Sequence, residues 1–171
     1  MKNSIIAFLL MVFSLATPAQ DNLQFRGALV KQPCTIAPGD EVVNLNFGSI
    51  IDSFLYQYQR TPAREFLLRL TQCEPIVGRD TKITFSGQAN TALPGYLALS
   101  AGSQAKGVAL GIESVQGVLL PINDKSIVNV VSGDNILTFK TFIQGEPLAL
   151  QNRTIGLGAF QANATFTLEY E

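Results

Sequence analysis

The C-terminal stretch of this chain constrains its fold more than any other feature. Over residues 158–170, apolar and polar side chains alternate without a break, and only Glu171 follows. One face carries Gly158, Phe160, Ala162, Ala164, Phe166, Leu168 and Tyr170, and the other carries Gln161, Asn163, Thr165, Thr167 and Glu169. Successive side chains of a strand point to opposite faces of a sheet, so this period of two predicts a half-buried β-strand. Such a strand needs either an earlier strand on each side or another protein along one open edge.

The first residues have the pattern of a secretory signal. Lys2 gives a positive start, residues 5–15 form an apolar run too short to span a bilayer, and small residues follow at Ala16 and Ala19. We therefore expect residues 1–19 to be a signal peptide, cleaved after Ala19 or, alternatively, after Ala16. Roughly 150 residues then remain, which is a usual size for one domain. No second apolar segment of membrane length follows, so we expect no stable membrane insertion.

Charge and composition argue against several classes of function. The 12 basic and 13 acidic residues give a net charge of −1, and the basic residues are scattered along the chain. This distribution argues against a nucleic-acid-binding surface. The chain contains no histidine, the commonest general base in catalysis, so we expect no catalytic residues and no enzyme activity.

Cys34 and Cys73 are the two cysteines of the chain. Their spacing fits neither a redox CxxC motif nor a four-ligand zinc site, and we expect no metal site and no cofactor. In an exported protein, an isolated pair of cysteines usually forms a disulfide bond. We therefore predict a structural bridge between Cys34 and Cys73.

The rest of the chain consists of short strand candidates separated by turn residues. The candidates are residues 23–31, 41–47, 65–73, 82–86, 96–99, 107–112, 118–120 and 136–144, together with the terminal run. Residues 50–58 form a loop or a short helix, and no other helix is predicted. Many short strands between Gly, Pro, Asn and Asp turns are typical of an all-β sandwich or barrel.

A second alternating segment follows the predicted cleavage site. Leu23, Phe25, Gly27 and Leu29 share one face of this segment. Periodicity alone fits an ordinary first strand of the sheet. A glycine within an apolar face usually marks a bulge or the close approach of another backbone.

Together, these segments resemble the pilin subunits of bacterial chaperone–usher fimbriae over essentially the whole mature chain. The matching features are the N-terminal alternating segment, Pro33-Cys34, Cys73 after an apolar strand, Leu93-Pro94-Gly95, Gly158 at the fourteenth position from the end, and the penultimate Tyr170. The segments Phe25-Arg26-Gly27, Pro33-Cys34 and Ala164-Thr165-Phe166 look most similar to minor tip and adaptor subunits of P-pilus-like systems.

The resemblance implies an incomplete immunoglobulin-like sandwich that lacks its last strand. Residues 20–32 would be an N-terminal donor-strand extension, and residues 33–171 would be the pilin domain. A periplasmic pilus chaperone would first fill the groove beside the terminal strand. At the outer-membrane usher, the extension of a neighbouring fimbrial subunit would replace it, by strand addition to an open sheet edge. The protein would thus pass through the periplasm and be assembled into a cell-surface fimbria.

The same resemblance assigns roles to individual residues. The donor strand would present Leu23, Phe25, Gly27 and Leu29. The groove that binds the chaperone and the neighbouring subunit would be lined by Gly158, Phe160, Ala162, Ala164, Phe166, Leu168 and Tyr170. Glu171 would place its terminal carboxylate against basic residues of the chaperone.

Two alternatives to a polymerising structural subunit stay open. A fimbrial adhesin would bind a glycan, although this chain is too short for the two domains of such adhesins and has the donor-like segment that they lack. A terminating subunit would accept a strand but block further addition. The difference between a terminating and a polymerising subunit depends on whether one end of the groove is open.

Overall fold

The computed structural model describes residues 33–74 and 80–170 of the chain. These residues all belong to one unit, Gln32–Glu171. The predicted signal peptide, the predicted donor-strand residues Leu23, Phe25, Gly27 and Leu29, and the terminal Glu171 lie outside the described residues. Those assignments therefore stay predictions.

Four antiparallel strands form the larger sheet. Numbered in chain order along the whole chain and given in their order across the sheet, they are β1 (Thr35–Ile36), β2 (Arg64–Cys73), β6 (Gly133–Gly145) and β4 (Val108–Ser114). The apolar runs at 65–73 and 136–144 predicted the two central strands, which pair from Arg64↔Thr141 to Leu70↔Asn135. Each of these strands buries alternate side chains, Leu68 and Leu70 on β2 and Leu137 and Phe139 on β6, whereas Leu67 and Ile136 are exposed. The long apolar runs made both strands predictable.

Three antiparallel strands form the smaller sheet. In order across the sheet they are β5 (Lys125–Val128), β3 (Thr81–Ser86) and β7 (Thr165–Tyr170). The middle strand, β3, pairs with both neighbours. Because β5 is only four residues long, its alternation is too short to stand out in the sequence.

Side chains from both sheets pack into one apolar core. Its buried members include Leu68, Leu70, Ile83, Phe85, Ile112, Leu137 and Phe139. Phe85 meets Phe139 edge-on with ring centroids 5.2 Å apart, and Phe66 lies 5.6 Å from Phe139. An edge-to-face pair such as Phe85 and Phe139 stabilises a core beyond the area that it buries. The two sheets therefore form a sandwich and not a closed barrel.

The expectation of no helix beyond residues 50–58 was wrong, because residues 33–74 and 80–170 contain two short helices. Helix α1 (Asp52–Tyr58) lies within residues 50–58, and its Leu55 packs with Val108 and Ile143 in a second, smaller core. Helix α2 (Pro147–Asn152) lies where the sequence predicted neither a strand nor a helix. Pro147 starts this helix, since proline at the first helical position needs no intrahelical donor.

Several predicted strands are shorter than expected or are not formed. Residues 41–47 form no strand, and residues 96–99 and 118–120 contribute only isolated bridges at Leu97 and Leu119. The terminal strand covers Thr165–Tyr170, and residues 158–164 are not part of it. Alternation reports which side chains face the core, but a strand also requires a neighbour that completes its ladder.

The predicted disulfide between Cys34 and Cys73 is present and buried. It joins the residue before β1 to the last residue of β2. Within residues 33–74 and 80–170, no helix has the length and apolarity needed to cross a bilayer.

Candidate functional site

The terminal strand β7 has a strand partner on one side. It pairs with β3 in the register Phe166↔Phe85, Leu168↔Ile83 and Tyr170↔Thr81. On its other side, no strand lies alongside it in the part of the chain that the structure describes. The sequence left this question open, and the structure answers it with a free edge.

The alternation of β7 places its apolar side chains inward. Phe166, Leu168 and Tyr170 are half-buried and pack against the main core, whereas Thr165 and Thr167 are exposed. Partial burial raises the pKa of the Tyr170 hydroxyl above its usual value. The strand therefore carries a half-covered apolar face beside an unpaired edge.

The residues before β7 are held by a neighbouring loop. The backbone groups of Gly156 and Lys106 bond to each other at N···O distances of 3.1 and 3.0 Å, and the Ala159 carbonyl accepts the Gln104 amide at 2.8 Å. Gly158 lies in the same stretch at φ +138°, and an added Cβ would meet the Cβ of Gln104 at 2.5 Å. Only glycine fits this conformation and this space.

An apolar groove runs along the free side of β7 and of the residues before it, 155–164, which together form the terminal segment. The groove consists of two clefts. The first cleft, of about 720 Å³, is lined by core residues such as Phe66, Leu110 and Ile112, by residues 41–45 and by Phe166. The second cleft, of about 560 Å³, is lined by Leu55, Val108, Ile143 and residues 155–160. Three residues line both clefts, namely Leu45, Phe47 and Phe160. The groove therefore reaches from the main core to the smaller core.

Residues 41–50 form the wall of the groove opposite the terminal segment. Val42 is 70% exposed, and among the described residues no backbone hydrogen bond joins residues 42–50 to a strand. Two arginines of β2 hold this wall in place. Arg69 donates three hydrogen bonds of 2.9 Å to the carboxylate of Asp40, which precedes the wall. Arg64 donates to the carbonyls of Asn46 and Phe47 within it.

The ion pair at Asp40 has a clear electrostatic effect. The side-chain hydrogen bond from Arg69 lowers the pKa of the Asp40 carboxyl, and the backbone amide of Arg69 lowers it further. Asp40 therefore stays ionised near neutral pH.

The structure brings together part of the predicted set of groove residues. Phe160, Ala162, Ala164 and Phe166 line the first cleft, and Gly158 and Phe160 line the second. Leu168 and Tyr170 pack on the core but line neither cleft. Sequence reasoning missed the wall at 41–50 as part of the site, although alternating Val43, Leu45 and Phe47 carried the signal.

The fold and this groove define a class of protein, namely an incomplete immunoglobulin-like β-sandwich with an apolar groove beside its terminal strand. The sequence profile of the family described as "Fimbrial protein" matches residues 23–171. The chain belongs to this fimbrial protein family.

Individual proteins agree with this assignment. The putative minor fimbrial subunit PmfF of Proteus mirabilis is 28% identical over 182 residues, which cover 100% of both chains. The fimbrial adapter PapK of Escherichia coli is 29% identical over 94% of this chain and 96% of its own length. The crystal structure of the P pilus rod subunit PapA superposes with a TM-score of 0.69 over 82% of this chain and 100% of PapA, at 19% identity. The all-β sandwich fold implied by the sequence is thereby confirmed.

Proposed function

We propose that this protein is a structural subunit of a chaperone–usher fimbria that binds a strand from a neighbouring subunit in its groove. The observation that carries the proposal is the free side of β7. It borders an apolar groove that lies between residues 41–50 on one side and residues 155–166 on the other. A strand placed there would pair with unpaired backbone and bury its side chains in the two clefts. We further propose that residues 20–32 supply the equivalent strand to another subunit.

Filling the groove has a large effect on stability. Burying one large apolar side chain contributes roughly 1.5–3 kcal/mol, so three or four of them contribute several kcal/mol. A typical domain is stable by only about 5–15 kcal/mol. A subunit with an empty groove is therefore only marginally stable and exposes an edge that promotes aggregation. This supports a periplasmic chaperone as its first partner and an outer-membrane usher as the site where a neighbouring subunit takes over.

The proposed role involves no chemistry on a substrate. The sequence has no histidine, and the described residues include no cluster of side chains suited to hold a metal ion. The cleft beside Gly158 is open, with about 560 Å³ of space. An open cleft at this end supports a subunit that allows further addition over a terminating subunit. After export and assembly, the protein would be part of a cell-surface fimbria.

Co-purification with a periplasmic pilus chaperone tests the accepting half of the proposal. The full chain is expected to be recovered as a complex. A labelled donor peptide from a neighbouring subunit, compared with a peptide of residues 21–31, is expected to displace the chaperone. Deleting residues 166–171 should abolish recovery of the complex, because it removes most of β7. Normal recovery of that truncated chain would contradict the assignment of the groove.

A pair of substitutions tests the donating half. Gly27→Glu places a charge on the predicted donor face and should stop the chain from inserting into a neighbour, while leaving its chaperone complex intact. Ala28→Glu places the same charge on the opposite face and is the matched control. Equal assembly of the two variants, measured as fibre subunits on the cell surface, would refute the donor-strand assignment.

A further inference from the structure

Two aromatic rings narrow the groove at one point, one from each wall. Phe47 and Phe160 both line the first cleft and the second, and their ring centroids are 6.2 Å apart at an interplanar angle of 46°. The pair therefore lies where the two clefts meet. A strand that fills the whole groove must pass this aromatic contact.

The Phe160 side of the contact is firmly held. The Ala159 carbonyl accepts amides from Gln104 and Ala105 at 2.8 and 3.2 Å. On the other side of Phe160, the Gln161 amide donates to the Ser103 hydroxyl at 3.0 Å, and the Gln161 carbonyl accepts the Ser100 amide at 2.7 Å. The Ser103 hydroxyl also donates to the Gln161 carbonyl at 3.1 Å, so five hydrogen bonds to the loop at 100–105 flank this ring.

The Phe47 side has a different support. Arg64 Nη1 donates to the Asn46 carbonyl at 2.8 Å, and Arg64 Nη2 donates to the Phe47 carbonyl at 3.2 Å. The same guanidinium lies 5.8 Å from the centroid of the Phe47 ring, within the range of a cation–π contact. Since residues 42–50 have no backbone hydrogen bond to a described strand, Arg64 is the main polar support of Phe47.

We propose that Phe47 and Phe160 form an aromatic gate across the groove and that Arg64 is the positioning residue that holds the Phe47 half closed. This inference rests on the proposed function, because the gate acts on a strand that enters the groove. Phe160 is fixed, so Phe47 is the half that moves. The rate of strand insertion then depends on how easily the Arg64 bonds to the wall are released.

The test measures how fast a fluorescent peptide of residues 21–31 enters the empty groove of the full chain after the chaperone has been dissociated from their complex, because a groove that the chaperone already fills has no closed gate. Arg64→Met removes two hydrogen bonds from a charged donor, and we expect insertion about tenfold faster. Phe47→Leu removes the ring while keeping an apolar side chain, and it should also accelerate insertion. The double variant should be no faster than Phe47→Leu alone, because Arg64 acts through Phe47.

Arg153→Met is the matched control. The guanidinium of Arg153 lies 5.6 Å from the centroid of the Tyr56 ring, and Arg153 lines neither cleft. The rate of peptide insertion into the Arg153→Met variant should therefore equal that of the wild type. If Arg64→Met does not yield a folded complex, Arg64→Lys keeps the charge without the planar fork and should show a weaker acceleration.

The outcomes separate the gate from the function on which it rests. The gate would be overturned if the peptide entered both Arg64→Met and Phe47→Leu at the wild-type rate. It would also be overturned if the two accelerations of insertion simply multiplied in the double variant. Failure of the wild-type chain to take up both this peptide and the donor peptide of a neighbouring subunit would instead contradict strand acceptance itself.

Discussion

At Asp40, a single carboxylate fixes one end of a wall of the groove. The residue is 8% exposed, and its two oxygens accept the backbone amide, Nε and Nη2 of Arg69, each at 2.9 Å. Charge-assisted bonds with this bidentate geometry are among the stronger interactions of a protein surface. The residue is important because the wall that follows it has few other polar contacts.

The ion pair predicts a pH dependence of stability. The pKa of Asp40 is lowered in the folded chain from its ordinary 3.8, so its contribution is complete above that pH and is lost as the pH falls through the lower, folded value. Asp40→Asn should therefore lower the melting temperature at pH 7, and the difference from the wild type should shrink below about pH 4. The exposed turn residue Asp124 provides the control Asp124→Asn. Parallel melting curves at all pH values would contradict the prediction.

At the scale of elements, the pairing of β4 with β6 depends on a missing side chain. Gly111 lies opposite Phe142, and an added Cβ would collide with the Phe142 ring. That ring is 1% exposed and is covered by the Arg60 guanidinium, 3.6 Å from its centroid, and by Tyr96. It therefore has little room to move away.

Gly111→Ala should destabilise the sheet by overpacking. A cost of about 1–3 kcal/mol in the free energy of unfolding is expected, because the surrounding side chains cannot give way. Gly102→Ala is the control, since no atom lies within 4 Å of its added Cβ. Urea denaturation of the peptide-filled chain measures both variants, and equal midpoints would count against this role of Gly111.

At the scale of the whole molecule, the disulfide closes a loop that contains the groove wall. Cys34 and Cys73 are 39 residues apart, and the loop between them includes residues 41–50 and helix α1. The bridge thus limits how far the wall and the helix can separate from β2 when the groove is empty.

Replacing both cysteines should weaken the fold strongly. Closing a loop of this length stabilises a protein by about 3–4 kcal/mol on the chain-entropy model. Cys34→Ser with Cys73→Ser should lower the unfolding free energy by that amount in urea denaturation. Reduction of the wild-type chain should have the same effect, and a midpoint insensitive to both treatments would exclude a stabilising role.

The parts of the fold predicted from sequence are those with long, regular patterns. Strands β2, β3, β4 and β6 were predicted because burial leaves a direct imprint on residue type. The disulfide was predicted because an isolated pair of cysteines in an exported protein usually forms a bridge. Helix α2 was missed because its six residues give less than two turns of periodicity. Residues 41–47 of the wall were expected to form a strand, and their alternation is real, but no described strand pairs with them.

The sequence by itself determined which side chains of the terminal run face inward, because a period of two fixes the faces of any strand. It left open whether the run has a strand on each side or one open edge. Only the tertiary structure decided that β7 has one free side, that the groove beside it divides into two clefts, and that Arg64 supports Phe47. These features depend on hydrogen bonds and contacts between residues far apart in the chain, and local alternation contains no information about them.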